Sequence, residues 1–193
     1  GIPAWEIRSG DLNSEQIASV REWKALMDRA PFYIERRART VKQIENICRR
    51  KMDTEDPIRL IVIDYIQLMR GKKSRYSNKT EEIGEISNDL KALASKENGV
   101  NATVIALSQL AKEVDKREDK RPQQGDLRDS SSLEADADII LMVYQPGAYD
   151  RDNMSLRGVA EIIVAKQREG RTGRVKMTFE EDCVRFVDKQ NVA

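Results

Sequence analysis

The stretch Leu60-Ile61-Val62-Ile63-Asp64 decides the fold class of this chain. Four consecutive apolar residues, three of them β-branched, predict a strand that is buried on both faces. Such strands are typical of parallel sheets in α/β proteins, which bind ligands where their strands end. Asp64 follows the run directly, so it is a candidate ligand-binding carboxylate. A carboxylate that only caps a turn would give the same pattern.

Helical and extended patterns alternate on both sides of this stretch. Helices are predicted over residues 14–29, from 41 onward, over 80–96 and within 127–137. Further strands are predicted over 32–35, 102–107, 138–144, 159–166, 174–180 and 183–187. The alternation predicts an α/β fold with a mostly parallel sheet flanked by helices, and the last strands predict a C-terminal antiparallel hairpin.

Apolar spacing predicts which helix faces enter the core. In the helix over 14–29 the predicted buried face consists of Ile17, Val20, Leu26 and Met27, and in the helix over 80–96 of Ile83, Ile86, Leu90 and Leu93. Thr40 and Gln43 form a capping-box pattern at the start of the intervening helix. Residues 111–126 mix charges of both signs densely and predict a solvated linker.

Length and composition exclude several function classes. A chain of 193 residues, 39% of them apolar, fits one domain with a real core. Without histidine it cannot carry a histidine-based triad or histidine-ligated metal, and Cys48 and Cys183 form no metal-binding pair. No apolar stretch reaches membrane-spanning length, so we expect a cytoplasmic protein without a membrane partner. The net charge of +1 means that nucleic-acid contacts would come from local clusters.

Polar residues that follow predicted strands suggest a phosphoryl-transfer site. These are Asp64, Gln109 after the strand over 102–107, and Lys166 and Arg168 at the hairpin. A carboxylate for Mg²⁺, an amide near the γ-phosphate and a cation for transition-state charge are what such chemistry requires. Each residue also has a simpler interpretation, a strand-end amide for Gln109 and solvated turn charges for the two cations.

Several longer motifs resemble those of replicative DnaB-type hexameric DNA helicases. They are Val62-Ile63-Asp64-Tyr65-Ile66-Gln67-Leu68-Met69, Thr80-Glu81-Glu82-Ile83-Gly84-Glu85-Ile86-Ser87, Val104-Ile105-Ala106-Leu107-Ser108-Gln109-Leu110, Asp119-Lys120-Arg121-Pro122, Asp126-Leu127-Arg128-Asp129-Ser130, Glu134-Ala135-Asp136-Ala137-Asp138 and Ala160-Glu161-Ile162-Ile163-Val164-Ala165-Lys166-Gln167-Arg168. They occur in the family's order over about residues 10–187. The resemblance implies that residues 1–193 are part of one RecA-like P-loop NTPase motor domain that works as a homo-hexamer.

The resemblance also implies roles for single residues. Asp64 matches the Walker B carboxylate that binds the Mg²⁺ of ATP, and Gln109 matches the amide that couples the γ-phosphate to the DNA-binding loops. Arg168 matches an arginine finger offered to the neighbouring subunit, with Lys166 beside it. The implied function is an ATP-dependent motor that translocates on single-stranded DNA and unwinds the duplex at the replication fork, with a primase and a helicase loader as further partners.

Two loops match those that hold single-stranded DNA at the centre of the ring. Residues 70–79 contain five cations and no acid, and the implied DNA contacts there are Lys72, Lys73 and Arg75. The second set is Arg128, Asp129, Ser130 and Ser131. The family usually has Gly at the position of Ser131, so a backbone contact to phosphate is expected more from Arg128 or Ser130. A basic loop that is merely solvated remains the alternative for 70–79.

No G-x-x-x-x-G-K-[ST] pattern occurs in the 193 residues. In the family, the strand with this P-loop and the next strand, with a catalytic glutamate, precede the region matched here. We therefore expect a partial motor domain that lacks its phosphate cradle. Two hypotheses remain, a helicase motor whose P-loop is encoded upstream and an ATPase-inactive fragment that binds single-stranded DNA or other subunits. A recombinase of the broader RecA class fits the motifs after Asp126 less well.

Overall fold

A computed structural model describes residues 1–52, 57–72, 78–127 and 131–189. Within these ranges the helices are α1 (Ala4–Ser9), α2 (Ser14–Arg29), α3 (Val41–Met52), α4 (Lys79–Ala94) and α5 (Ser131–Asp136). The strands are β1 (Leu60–Ile63), β2 (Thr103–Ala106), β3 (Ile139–Tyr144), β4 (Val159–Gln167), β5 (Gly173–Glu180) and β6 (Arg185–Asp188). Helices and strands therefore occur in nearly the predicted order.

The strands form two sheets. β1 and β2 pair in parallel, with Ile63 opposite Ala106 at their ends. The second sheet has the order β3-β4-β5-β6, in which β4 pairs antiparallel with β5 and β5 antiparallel with β6. A parallel sheet with helices and a separate antiparallel sheet agree with the RecA-like α/β fold predicted from the sequence. The antiparallel part extends beyond a single hairpin, because β6 adds a further strand to it.

The described chain consists of two compact units. One comprises Gly1–Ile34, Leu141–Val164 and the chain from Arg171 onward, and it contains α1, α2 and most of the antiparallel sheet. The other comprises Glu35–Ile140 and Ala165–Gly170, and it contains the parallel sheet with α3, α4 and α5. All described residues of the candidate site belong to this second unit.

The core of the second unit is built on α4. Its side chains Ile83, Ile86, Leu90 and Leu93 are almost fully buried, as the apolar spacing predicts. They form one cluster with Ile61 and Ile63 of β1 and with Cys48 of α3. Burying one such aliphatic side chain contributes about 1.5–3 kcal/mol. The start of α3 is fixed by the predicted capping box, since the Gln43 backbone N–H donates to Thr40 Oγ1 and Gln43 Oε1 accepts from the Thr40 N–H.

The prediction that β1 is buried on both faces is wrong for the described chain. Ile61 and Ile63 are buried, but Leu60 and Val62 are 53% and 58% exposed. Exposed and buried residues alternate because only the face of β1 that carries Ile61 and Ile63 packs into the cluster around α4. In β3 the residues Ile139, Leu141 and Val143 are likewise exposed, while their neighbours Ile140, Met142 and Tyr144 are buried.

The predicted strand over 32–35 is not formed. Phe32, Tyr33 and Ile34 are exposed, and residues 32–35 belong to no sheet among the described residues. A β-branched or aromatic run forms a strand only where a neighbouring strand satisfies its backbone. The apolar face predicted for α2 is also wrong as a core face, because no residue of α2 is buried. The helix itself forms, with Asn13 and Gln16 in a capping box at its start.

The predicted solvated linker over 111–126 is correct for its many exposed residues but wrong as a linker, because internal contacts order this segment. It contains 3₁₀ turns at Lys112–Lys116 and Gln124–Asp126, and Leu110 and Leu127 at its ends form a β-bridge. Arg117 donates two hydrogen bonds to the buried Asp126 carboxylate, at 3.1 and 2.6 Å. Opposite charges close in sequence thus neutralise each other inside the loop.

None of the helices in the described ranges is long and apolar enough to span a membrane.

Candidate functional site

The ends of β1 and β2 bring Asp64 and Gln109 into one region. The Leu107 backbone N–H donates to the Ile63 carbonyl at 3.0 Å, and the Leu107 carbonyl accepts from the Ile66 N–H at 2.9 Å. Leu107 therefore bonds to the residues on either side of the Asp64–Tyr65 peptide. Because Gln109 follows two residues later, both predicted side chains lie at the carboxyl edge of the parallel sheet, where α/β proteins bind ligands.

Gln67 joins the two strand ends and had no role assigned from the sequence. Its side-chain Nε2 donates to Ser108 Oγ at 2.9 Å, and its Oε1 accepts from the Gln109 backbone N–H at 3.4 Å. The 3₁₀ turn Ile66–Leu68 that follows Asp64 is thereby attached to the segment that carries Gln109. The only sequence signal was the place of Gln67 inside the motif that begins at Val62.

The Asp64 carboxylate fits a nucleotide-bound Mg²⁺ rather than a metal site made of protein alone. It is exposed and makes no hydrogen bond or ion pair within the described residues. The described chain also contains no group of three or more acidic or cysteine side chains that could hold a metal. Mg²⁺ at phosphate sites usually takes one or two carboxylates and completes its shell with phosphate oxygens and water, and a single free carboxylate matches that pattern.

Lys166 contacts the end of α5, and Arg168 contacts the segment that links α5 to β3. The Lys166 ammonium donates to the Glu134 carbonyl at 2.6 Å and to the Ala135 carbonyl at 3.1 Å. These carbonyls lie at the C-terminal end of α5, where a cation is favoured by the helix dipole. The Arg168 backbone N–H donates to the Asp138 carbonyl at 2.9 Å, and its guanidinium donates to Asp138 Oδ1, also at 2.9 Å.

Asp138 is a second residue for which the sequence suggested no role. Its Oδ2 accepts from the Lys91 ammonium at 2.5 Å, while Oδ1 accepts from Arg168. The hydrogen bond from Lys91 is the main reason that the pKa of Asp138 lies below its ordinary value, and the charges of Arg168 and Lys166 lower it further against a cost of burial. Asp138 therefore remains ionised at neutral pH. Its carboxylate is held on one oxygen by Lys91 and fixes the Arg168 guanidinium with the other.

The predicted catalytic residues thus fall into two groups. Asp64 and Gln109 belong to the first, and Lys166 and Arg168 to the second. Among the residues that the structure describes, no hydrogen bond or ion pair links one group to the other.

Most of the predicted DNA contacts lie outside the described residues, namely Lys73, Arg75, Arg128, Asp129 and Ser130. Ser131 is the exposed first residue of α5. The Lys72 ammonium forms an ion pair with Asp89 of α4 at 2.6 Å, so part of the charge of this loop is compensated within the chain.

The helix α4 compensates a second cation of the predicted basic loop. Lys79, its first residue, pairs with Glu82 at 2.7 Å. Both ion pairs use carboxylates that are about four-fifths buried, at 21% and 18% side-chain exposure.

Comparison with known proteins identifies the family of this chain. The family described as DnaB-like helicase C terminal domain matches residues 1–188. Replicative DNA helicase DnaB of Buchnera aphidicola is 42% identical over 182 residues, which are 93% of this chain and 39% of that protein. The DnaB of Geobacillus stearothermophilus is 38% identical over 188 residues, 97% of this chain and 40% of that protein. The chain therefore spans about two fifths of the length of these relatives.

Two solved structures share the fold closely. One, of a DnaB-like replicative helicase described with its interactions with primase, matches 98% of this chain and 45% of its own, with a TM-score of 0.86 and 33% identity. The other is described as an ATPase domain, and it also matches 98% of this chain, and 66% of its own, with the same TM-score and identity. This chain belongs to the family of DnaB-like helicase C-terminal domains.

Proposed function

We propose that this domain is part of the ATP-driven motor of a replicative DNA helicase that translocates on single-stranded DNA and unwinds the duplex at the fork. The observation that carries the proposal is the double hydrogen bond of Leu107, which joins the strand ends that carry Asp64 and Gln109. A carboxylate and an amide at this edge of a parallel sheet suit the recognition of a nucleotide triphosphate and its metal. A replicative function agrees with the cytoplasmic location predicted from the sequence.

In this proposal Asp64 and Gln109 act on a nucleotide held by the same subunit. Asp64 holds Mg²⁺, which when bound neutralises charge on the β- and γ-phosphates. Gln109 senses the γ-phosphate through its side-chain amide. Because its backbone N–H is bonded to Gln67, a change at Gln109 is passed to the turn that follows Asp64.

Arg168 acts on the nucleotide of a neighbouring subunit in a homo-hexamer. Its exposed guanidinium is anchored at Asp138, and Lys166 is held at the end of α5 beside it. An arginine aimed by a fixed carboxylate can stabilise the charge that develops during phosphoryl transfer. We propose ATP and Mg²⁺ as cofactors, and primase and a helicase loader as further partners, since one solved relative is described together with primase.

Single-stranded DNA is the proposed track of the motor. Lys72, Lys73 and Arg75 in one loop, and residues 128–131 in the other, are proposed to grip its phosphates. Contacts of this kind are sensitive to salt and carry little base preference.

The proposal is tested with the protein that carries this domain, expressed at full length. ATP turnover and unwinding of a forked duplex are measured for the unmodified protein, for Asp64→Asn and for Asp152→Asn as a matched control at an exposed aspartate. Asp64→Asn keeps shape but removes the charge on which Mg²⁺ depends, so turnover should fall at least about a hundredfold. The control should retain full activity.

Two outcomes would contradict the proposal. Unaltered turnover in Asp64→Asn would show that this carboxylate does not serve the metal. DNA binding without any turnover in the unmodified protein would favour the alternative of an ATPase-inactive DNA-binding protein.

The 193-residue chain by itself should hydrolyse no ATP, because it contains no G-x-x-x-x-G-K-[ST] sequence to cradle the phosphates.

A further inference from the structure

Four exposed arginines form no ion pair with a carboxylate among the described residues. We call them the arginine cluster: Arg36, Arg37, Arg39 and Arg70. In the part of the chain that the structure describes, none of their guanidiniums forms an ion pair or a hydrogen bond. Glu35 and Glu82 experience the charges of Arg37 and Arg70 only at a distance. The cluster is therefore a local concentration of positive charge on a chain whose net charge is only +1.

Backbone hydrogen bonds hold the first three arginines in a fixed turn. Glu35 Oε1 accepts from the backbone N–H of Arg37 at 2.5 Å and from that of Ala38 at 3.3 Å. The Arg39 N–H donates to Gln43 Oε1 at 2.7 Å. The Glu35 carboxylate is thus occupied by the backbone, and its pKa is lowered mainly by the hydrogen bond from the Arg37 N–H. The guanidiniums are left to face outward.

The turn is joined directly to the start of the predicted DNA loop. The Arg70 backbone N–H donates to the Arg39 carbonyl at 2.7 Å. This bond places Arg70, the first residue of the loop over 70–79, beside the arginine turn. In the loop itself, by contrast, Lys72 and Lys79 form ion pairs with carboxylates of α4. Of the three cations of this loop that the structure describes, only Arg70 is unpaired, and it lies beside the turn that carries the other three arginines of the cluster.

We propose that the arginine cluster is a phosphate-binding surface that contacts the backbone of single-stranded DNA. This inference rests on the proposed function and adds a contact surface to it. Guanidinium groups bind phosphate bidentately through their fork of N–H donors, and they lose less hydration than lysine does. The cluster contains no aromatic side chain, so its contacts carry no base preference. The bond between Arg39 and Arg70 makes it continuous with the loop proposed to hold the strand, which favours DNA over an acidic protein.

The test compares matched sets of variants in the full-length protein that carries this domain. The first set is Arg36→Gln, Arg37→Gln and Arg39→Gln together. The control set, Arg8→Gln, Arg21→Gln and Arg29→Gln together, removes the same charge from α1 and α2 in the other unit. A third set replaces Arg36, Arg37 and Arg39 by Lys, which keeps the charge but removes the fork. Binding of a fluorescein-labelled oligo-dT is followed by anisotropy over a range of NaCl concentrations, with a non-hydrolysable ATP analogue.

Loss of three phosphate contacts should lower the slope of log affinity against log salt by about 2, at roughly 0.7 for each contact on a single strand. The control set should keep the slope of the unmodified protein, and the Lys set should keep most of it with weaker binding. Melting temperatures should be alike in all sets, because the replaced side chains make no ion pair within the described chain and only one long hydrogen bond, from the exposed Arg8 Nε to the Ala4 carbonyl at 3.4 Å.

Three results would overturn the inference. They are an unchanged slope in the Gln set, an equal fall in the control set, and unchanged DNA binding with weakened subunit assembly, which would mark the cluster as a protein contact. Because binding is read without turnover, these results are separate from a failure of the proposed function. That failure would appear as a lack of ATP hydrolysis or unwinding in the unmodified protein.

Discussion

Asp138 contacts Arg168 twice, through its backbone carbonyl and through its carboxylate, and both distances are 2.9 Å. The first contact fixes the start of the turn after β4, and the second fixes the direction of the guanidinium. Lys91 of α4 holds the other carboxylate oxygen. An arginine that must reach a second nucleotide needs such an anchor, because its long side chain otherwise samples many rotamers.

Replacing Asp138 by Asn should slow ATP turnover by up to about fivefold without changing the KM for ATP. The exposed contact contributes up to about 1 kcal/mol, which corresponds to that factor. The backbone bond remains in this variant, so the turn keeps its start, while the charge that holds the guanidinium and pairs with Lys91 is removed. Steady-state kinetics of the full-length protein provide the measurement, and Asp28→Asn, which breaks an exposed ion pair with Lys24 in α2, is the control. A raised KM with full kcat would argue against a positioning role.

The same carboxylate should make stability depend on pH in a defined direction. The pKa of Asp138 is lowered in the folded chain, chiefly by the hydrogen bond from Lys91, whereas in the unfolded chain it is about 3.9. A lowered pKa stabilises the fold above the unfolded value, and this contribution disappears as the pH falls through the folded value. Urea unfolding should therefore separate the unmodified chain from Asp138→Asn at pH 7. The difference should begin to shrink near the unfolded pKa, at about pH 4, and should vanish only below the lowered folded pKa. A difference that persists in acid would contradict this.

Arg168 should act on a nucleotide bound by another subunit. Arg168→Ala should keep ATP binding but lose turnover, since arginine fingers supply about 10³–10⁵ in kcat. When inactive Arg168→Ala and Asp64→Asn subunits are mixed, some interfaces regain both groups, so activity should return. Native mass spectrometry would confirm that mixed assemblies form. If confirmed mixed assemblies stay inactive at every ratio, action between subunits is excluded.

The sequence predicted the ends of β1 and β2 well because each is marked locally. An apolar run followed by one polar side chain identifies a strand and the edge at which it ends, and Asp64 and Gln109 lie at that edge. Gln67 and Asp138 could not be assigned a role in the same way. Their partners Gln109 and Arg168 are 42 and 30 residues away, so the contacts exist only after the chain has folded.

The errors have a common physical origin in what surrounds each segment. Leu60 and Val62 are apolar, but whether their side chains are buried depends on which helices or strands cover their face of β1. Residues 111–126 were predicted to be solvated because they are charged. The pair of Arg117 with Asp126 compensates two of those charges within the segment and helps to order it.

Breaking this pair should destabilise the protein. Asp126 is buried and accepts two hydrogen bonds from Arg117 and one from the Gln123 backbone N–H, at 2.6 Å. Asp126→Ala should lower the free energy of unfolding by about 1.5–3 kcal/mol, the usual value for hydrogen bonds to a charged group. Asp119→Ala, in the more exposed pair with Arg121, is the control and should cost less than about 1 kcal/mol. Equal losses of unfolding free energy in the two variants would show that burial of Asp126 adds no stability beyond that of an exposed ion pair.

Gln67 should couple DNA binding to ATP turnover through Gln109. Gln67→Ala removes the bonds to Ser108 Oγ and to the Gln109 N–H, which together contribute roughly 1–2 kcal/mol. We expect kcat in the presence of single-stranded DNA to fall about tenfold. Turnover without DNA and the KM for ATP should change little, because the variant leaves Asp64 and its strand in place.

Two further variants separate this positioning role from a loss of stability. Gln67→Glu keeps an acceptor for the Gln109 N–H, and Ser108 Oγ can donate to the new carboxylate, so much of the stimulation by DNA should be restored. Gln16→Ala breaks the capping box of α2 in the other unit and should lower the melting temperature without changing that stimulation. If Gln67→Ala lowers turnover equally with and without DNA, Gln67 serves the stability of the strand ends, and the coupling must run through other residues.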